Sequence, residues 1–167
     1  MLTRPTADRV KEALFNVIQY EIRGEVLDLF AGTGQLGIEA LSRGAKHAVF
    51  VDRLTAAAAL VRENLRRTHL TDRAEVVCSD YLAYLDRCTK RFDLIFLDPP
   101  YAEKSLEIAI KRISEIDILA DGGIIITERP RGKELQADFP GLTRSRDYDY
   151  GKTTITLLRK ERREDIL

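Results

Sequence analysis

Five short apolar runs punctuate the chain: "VLDLF" (26–30), "AVFV" (48–51), "AEVVC" (74–78), "DLIFL" (93–97) and "GIIIT" (123–127). They are continuous rather than alternating and rich in Val, Ile, Leu and Phe, the pattern of strands buried on both faces of a parallel sheet. Between them, apolar residues recur at helical spacing. Ala13, Leu14, Val17 and Ile18 precede the first run, and Leu36, Ala40 and Leu41 follow it. Ala57, Val61 and Leu65 follow the second, and Leu106, Ala109, Ile110, Ile113 and Ile116 follow the fourth. Strand–helix alternation with right-handed crossovers predicts a doubly wound, mostly parallel α/β sheet. The pattern changes at the end, where "LTRSRDYDY" and "TTITLLRK" flank "YGK". This predicts an antiparallel hairpin with Gly151 in its turn. No linker, repeat or low-complexity segment interrupts the alternation, so one domain is expected over 1–167, with "KERREDIL" as a charged, frayed tail.

The 167 residues give room for one real core, and 44% hydrophobic with 32% charged residues is an ordinary globular balance. Lys+Arg and Asp+Glu are both 27. A protein that grips nucleic acid mainly by net charge is excluded, and any nucleic-acid contact needs a local basic patch or a further segment. Two cysteines (Cys78, Cys88) and two histidines (His47, His69) have no zinc-ligand spacing and make no disulfide framework. No metal is expected, and one buried and one surface thiol in a reducing compartment is the default. With no signal peptide and no apolar run of about 18 residues, the expected location is cytoplasmic, without membrane association.

Candidate chemistry begins in "LDLFAGTGQLG" (27–37). Gly32, Gly34 and Gly37 form G-x-G-x-x-G between a strand and a helix, the nucleotide-binding loop of a Rossmann-like sheet. Asp52 ends the second run twenty residues after Gly32, where a partner for a ribose hydroxyl belongs. This much suits a nicotinamide dinucleotide. Asp28, four residues before Gly32, argues otherwise, since a carboxylate there repels a pyrophosphate. A ligand with a cationic amino-acid end and a ribose but no phosphate is favoured, and S-adenosylmethionine (SAM) is such a ligand. Asp80 follows the third run, where it can accept from an adenine amino group with Tyr81 or Leu82 beside the ring, cap the helix "YLAYL", or do both. Asp28, Asp52, Asp80 and Asp98 thus stand at the ends of four successive strands, where open parallel sheets bind ligands.

The fourth run ends in "DPPY" (98–101). An exocyclic amine on a nucleobase is a poor nucleophile because its lone pair is delocalised into the ring. Asp98 and the carbonyl of Pro99 can accept its N–H bonds and turn the lone pair toward a methyl donor. The prolines fix φ and add no competing N–H, so the acceptors are preorganised. Tyr101 offers a stacking face for an extruded base, worth roughly 1–3 kcal/mol in nucleic-acid proteins. Orientation then carries most of the catalysis, with neither a metal nor a covalent intermediate. The tetrapeptide accounts for amine methylation and leaves the base open.

Together, "RPTADRVKEALFNVI" (4–18), "LDLFAGTGQLGIEALSRGA" (27–45), "FVDR" (50–53), "FDLIFLDPPY" (92–101) and "YGKTTITLLR" (150–159) resemble the RsmD family of bacterial 16S rRNA guanine-N2 methyltransferases in order and spacing. The resemblance spans nearly the whole chain. It implies a class I methyltransferase fold with a seven-stranded sheet and SAM as cofactor. It implies Asp28, Gly32 and Gly34 at the methionine end of SAM, Asp52 at the ribose and Asp80 at the adenine, with Phe30, Arg53 and Tyr81 beside them. Asp98, Pro99, Pro100 and Tyr101 would meet the target guanine. Arg4, Thr6, Arg9 and Lys152 would face 16S rRNA, within a 30S particle or an assembly intermediate, and the protein would act as a monomer. Arg129 and Arg131 are weaker candidates for a basic rim. Family members usually carry a further basic, glycine-rich segment ahead of the "RPT" block, whereas this sequence starts at Met1. That departure bears on rRNA affinity rather than on SAM binding. The alternatives are a DNA adenine-N6 methyltransferase, for which no target-recognition insertion is evident, and a non-catalytic RNA-binding module, against which Asp98 and Tyr101 weigh.

Overall fold

The computed structural model describes residues 5–100 and 104–162, with backbone alone at 5–7. Its strands are β1 (Glu25–Asp28), β2 (His47–Asp52), β3 (Ala74–Cys78), β4 (Phe92–Leu97), β5 (Leu119–Pro130), β6 (Leu142–Arg144), β7 (Tyr148–Tyr150) and β8 (Thr153–Lys160). The helices are α1 (Pro5–Val17), α2 (Gln35–Ser42), α3 (Thr55–Arg67), α4 (Tyr81–Arg87) and α5 (Ser105–Ile116). The strand order is β3-β2-β1-β4-β5-β8-β6, with β7 also paired to β8. β1 to β5 are mutually parallel, and β8 runs antiparallel between β5 and the β6/β7 edge.

The continuous apolar runs are explained by burial on both faces. Val26, Phe50, Leu94, Phe96, Ile124 and Ile126 point into one cluster, with Leu14, Phe15, Leu41, Val61 and Leu65 of α1 to α3 and the segments between them. Their neighbours Leu27, Val49, Val51, Ile95, Leu97 and Ile125 point into the other, with Leu85, Ile110 and Ile113 of α4 and α5. Successive strand residues face opposite ways, so a strand covered by helices on both sides has no position left for a polar residue. Each fully buried Leu, Ile or Phe contributes roughly 1.5–3 kcal/mol.

Gly37, on the first turn of α2, allows that helix to lie close on the sheet. A Cβ there would stand 2.3 Å from Cε1 of Phe50, closer than any side chain can pack. The expected C-terminal antiparallel pair is present. One of the seven anticipated strand positions is split in two: between β6 and β7, Ser145 both donates from its N–H to Leu157 O (2.9 Å) and accepts from Leu157 N–H at its hydroxyl (2.9 Å). Neither thiol is buried, Cys78 being exposed and Cys88 half-buried. No helix among the described residues is long and apolar enough to cross a membrane.

Candidate functional site

The carboxyl ends of β1, β2, β4 and β5 open into a cleft of about 820 Å³. Its floor is the glycine loop. After Asp28 the chain turns sharply: Ala31 N–H donates to Val51 O (2.9 Å) and Gly34 N–H to Ala31 O (2.7 Å). Gly32 has φ +57°, and a Cβ there would meet nothing within 4 Å, so the backbone faces open cleft. Two side chains fasten this loop. Asp52 accepts from Gly32 N–H (Oδ2, 2.9 Å) and from Leu54 N–H (Oδ1, 2.9 Å). Asn64 of α3 donates from Nδ2 to Thr33 O (2.9 Å). Asn64 was not among the expected residues, because a lone amide on an amphipathic helix carries no signal of its partner.

Asp28 is 2% exposed and accepts from Gly37 N–H at 3.1 Å. Burial pushes its pKa up to about 8, with the Gly37 bond opposing and the charges of Asp98 and Asp52 adding to the rise. Asp80 is the N-cap of α4, accepting from Leu82 and Ala83 N–H at 3.1 and 3.3 Å. Beside it the rings of Tyr81 and Phe30 lie 5.0 Å apart at 44°, forming an aromatic step in the cleft wall.

Asp98, Pro99 and Pro100 follow β4 and line the same cleft. Asp98 is exposed to the cleft, whose walls desolvate it in part. This desolvation pushes its pKa up to about 6, and the neighbouring Glu128 carboxyl, as a donor, works the other way. Glu128 is a second residue that sequence reasoning missed. It lies in β5, lines the cleft, and has a pKa raised to about 8 by burial and by the charges of Asp98 and Asp28. The signal was available, since "GIIITERP" is a fifth apolar run ending in an acid.

Of the remaining candidates, Arg53 and Lys152 line the cleft, joined by Lys11 of α1. Arg9 is exposed on α1 and is not among the lining residues. Arg129 corrects the expectation of a surface rim. It is 6% exposed and donates to Thr156 Oγ1 (2.7 Å), Lys133 O (2.8 Å) and Asp147 Oδ2 (3.1 Å). It therefore ties the end of β5 to β8 and to the β6–β7 connection. Arg131 is exposed, 3.9 Å from Asp149. Arg4 and Tyr101 lie outside the described residues, as does the side chain of Thr6.

The donor set fits SAM. Asp28 and Asp52 place carboxyls beside a loop with exposed backbone, which disfavours a pyrophosphate and favours a ligand with a cationic amino-acid end and a ribose. Both oxygens of Asp52 are held by backbone N–H groups and keep lone pairs for hydroxyls.

The family model described as conserved hypothetical protein 95 matches residues 1–159. A Bacillus subtilis protein named "Putative rRNA methyltransferase YlbH" is 44% identical over 162 residues, covering 95% of this chain and 88% of that protein. The Haemophilus influenzae ribosomal RNA small subunit methyltransferase D is 39% identical over 136 residues, covering 79% and 70%. A solved structure from Escherichia coli, "Putative methyltransferase yhhF", superposes with a TM-score of 0.85 at 32% identity, covering 95% of this chain and 87% of that one.

Proposed function

The chain belongs to the conserved hypothetical protein 95 family, the RsmD family of the sequence resemblance, and from that premise we propose that it methylates the exocyclic N2 amine of a guanine in 16S rRNA. One observation carries the reading: an Asp-Pro-Pro turn and a glycine loop ringed by acids open onto one cleft. Amine methylation needs a methyl donor and an amine acceptor side by side. The relatives named for ribosomal RNA methylation support rRNA as the substrate.

SAM, when bound, supplies a sulfonium methyl, so the amine lone pair forms the N–C bond while the C–S pair leaves with sulfur as a thioether. In this reading Asp28 and the Gly32–Gly34 loop hold its amino-acid end, Asp52 its ribose hydroxyls, and Asp80 with Tyr81 its adenine. Phe30 and Arg53 flank the same ligand. Asp98 and the Pro99 carbonyl accept the N–H bonds of the target amine, aim its lone pair, and Asp98 takes the released proton. Pro99 and Pro100 hold these acceptors still, and Tyr101 stacks on the base. Lys152, with Arg9 and the Arg4–Thr6 segment, meets the RNA backbone near the mouth.

The reading is tested by labelled-methyl transfer from SAM to 30S particles, naked 16S rRNA and DNA, using the wild type and Asp98→Ala. Transfer to rRNA that Asp98→Ala abolishes, with SAM affinity retained, supports it. Transfer to DNA alone, or wild-type transfer by Asp98→Ala, overturns it.

A further inference from the structure

Glu128 enters no step of that reading, yet it stands one strand across from the acceptor at its centre. β4 and β5 pair in parallel with Phe96 opposite Ile126 and Leu97 opposite Thr127. The next residues in that register are Asp98 and Glu128, so their carboxyls stand side by side at the strand ends and line the same cleft. Glu128 also pairs with Ile155 of β8 on its other side. It therefore projects from an interior strand held on both edges, whereas Asp98 stands on the turn that follows β4. Glu128 lines both the main cleft and a second cavity of about 250 Å³ behind Pro99 and Pro100, so it forms part of the wall between them.

Two adjacent carboxylates repel when both are ionised, and the pair is relieved when one of them holds a proton that it can offer to the other. We propose that Glu128 is a positioning residue for methyl transfer: its protonated carboxyl donates a hydrogen bond to Asp98 and holds that carboxylate, ionised and aligned, as the acceptor for the substrate amine. The inference rests on the proposed function, since it concerns the same acceptor.

The surroundings favour this placement of the proton. Glu128 faces Asp98 and feels Asp28, and both, with burial, raise its pKa. Asp98 is opposed by burial alone and helped by the Glu128 bond. The other charged groups on the cleft wall are Asp52, Asp80, Lys11, Arg53 and Lys152. Arg129, the next residue along β5, turns to Thr156 and Asp147 and does not neutralise Glu128. Near neutral pH the pair holds one proton, on Glu128. During transfer the amine nitrogen gains the methyl and loses one N–H proton to Asp98, the C–S electron pair staying on sulfur. The pair then holds two protons and carries no charge, and it returns one to water.

The test compares wild type, Glu128→Gln and Glu128→Ala on 30S particles, with thermal melting to show that each variant is folded. Gln keeps an N–H donor for Asp98, so its kcat is expected within about threefold of wild type. Ala removes the donor, and kcat is expected to fall about 10- to 100-fold with KM and SAM affinity unchanged. In Ala the acid limb of kcat/KM moves to higher pH, and Gln leaves it in place. Wild-type kcat and acid limb in Ala, or Gln as impaired as Ala, overturns the inference. A readout independent of turnover separates this from failure of the proposed function. In protein carrying ¹³C-labelled carboxyls, the Asp98 resonance should titrate at higher pH in Glu128→Ala than in wild type or Glu128→Gln. If the wild type methylates no rRNA but this shift appears, the substrate assignment fails and the pairing stands. An Asp98 titration identical in all three proteins sinks the pairing.

Discussion

Asp98 and Glu128 stand side by side at the carboxyl ends of the parallel strands β4 and β5, one residue beyond the Leu97–Thr127 pair. Asp98 can accept from an amine only when ionised, and burial lifts its pKa to about 6. Methyl transfer should therefore rise with pH through an acid limb with an apparent pKa near 6. A kcat/KM profile on 30S particles checks this, and an acid limb at the ordinary carboxylate value would show that desolvation does not act on this group.

Replacing Asp98 by Ala removes the acceptor and leaves the glycine loop untouched. We expect a loss of about 10²- to 10³-fold in kcat with SAM affinity within about twofold of wild type, since no cofactor contact in the proposed reading uses Asp98. Single-turnover kinetics together with calorimetric SAM titration separate the two quantities.

Asp28 gives a stability prediction whose sign runs opposite to that of a salt-bridged acid. Its folded pKa of about 8 lies above the ordinary carboxylate value of 3.8, so the folded state binds an extra proton between those limits. Stability contributed by this group is full below about pH 4 and is lost as pH rises through 8. Asp28→Asn should raise the stability of the ligand-free protein at pH 8, by several kcal/mol, and change it little at pH 4. The same variant should lose SAM binding. Denaturant melts at the two pH values check the first part, and equal effects at both would contradict it.

Gly37→Ala drives a methyl into the Phe50 ring, where the ideal Cβ would stand 2.3 Å from Cε1. Either α2 lifts from the sheet or Phe50 leaves its place, at a cost of about 1–3 kcal/mol. Because Gly37 N–H also holds Asp28, SAM affinity should fall with stability. An unchanged denaturation midpoint would show that the helix has slack at this contact.

The strands were legible because burial on both faces leaves an unbroken apolar run, and the acids beyond them because a carboxylate ending such a run has no packing reason to be there. Glu128 escaped the same rule, since the fifth run was closed at Thr127 while β5 continues to Pro130. Its importance lies in register with Asp98, which no single segment displays. Arg129 was misread for a related reason: its partners Thr156 and Asp147 are 27 and 18 residues further along the chain. Only the antiparallel insertion of β8 brings them to it. Local pattern reveals what a segment buries, and it does not reveal which distant side chain completes a hydrogen bond.

The central claim is methylation of a guanine amine in ribosomal RNA. The direct measurement is incubation of the protein with 30S particles and SAM labelled in its methyl group, followed by digestion of the 16S rRNA and nucleoside mass spectrometry. The account predicts label in N2-methylguanosine at one position. Label in N6-methyladenosine, or none in the rRNA, would contradict it.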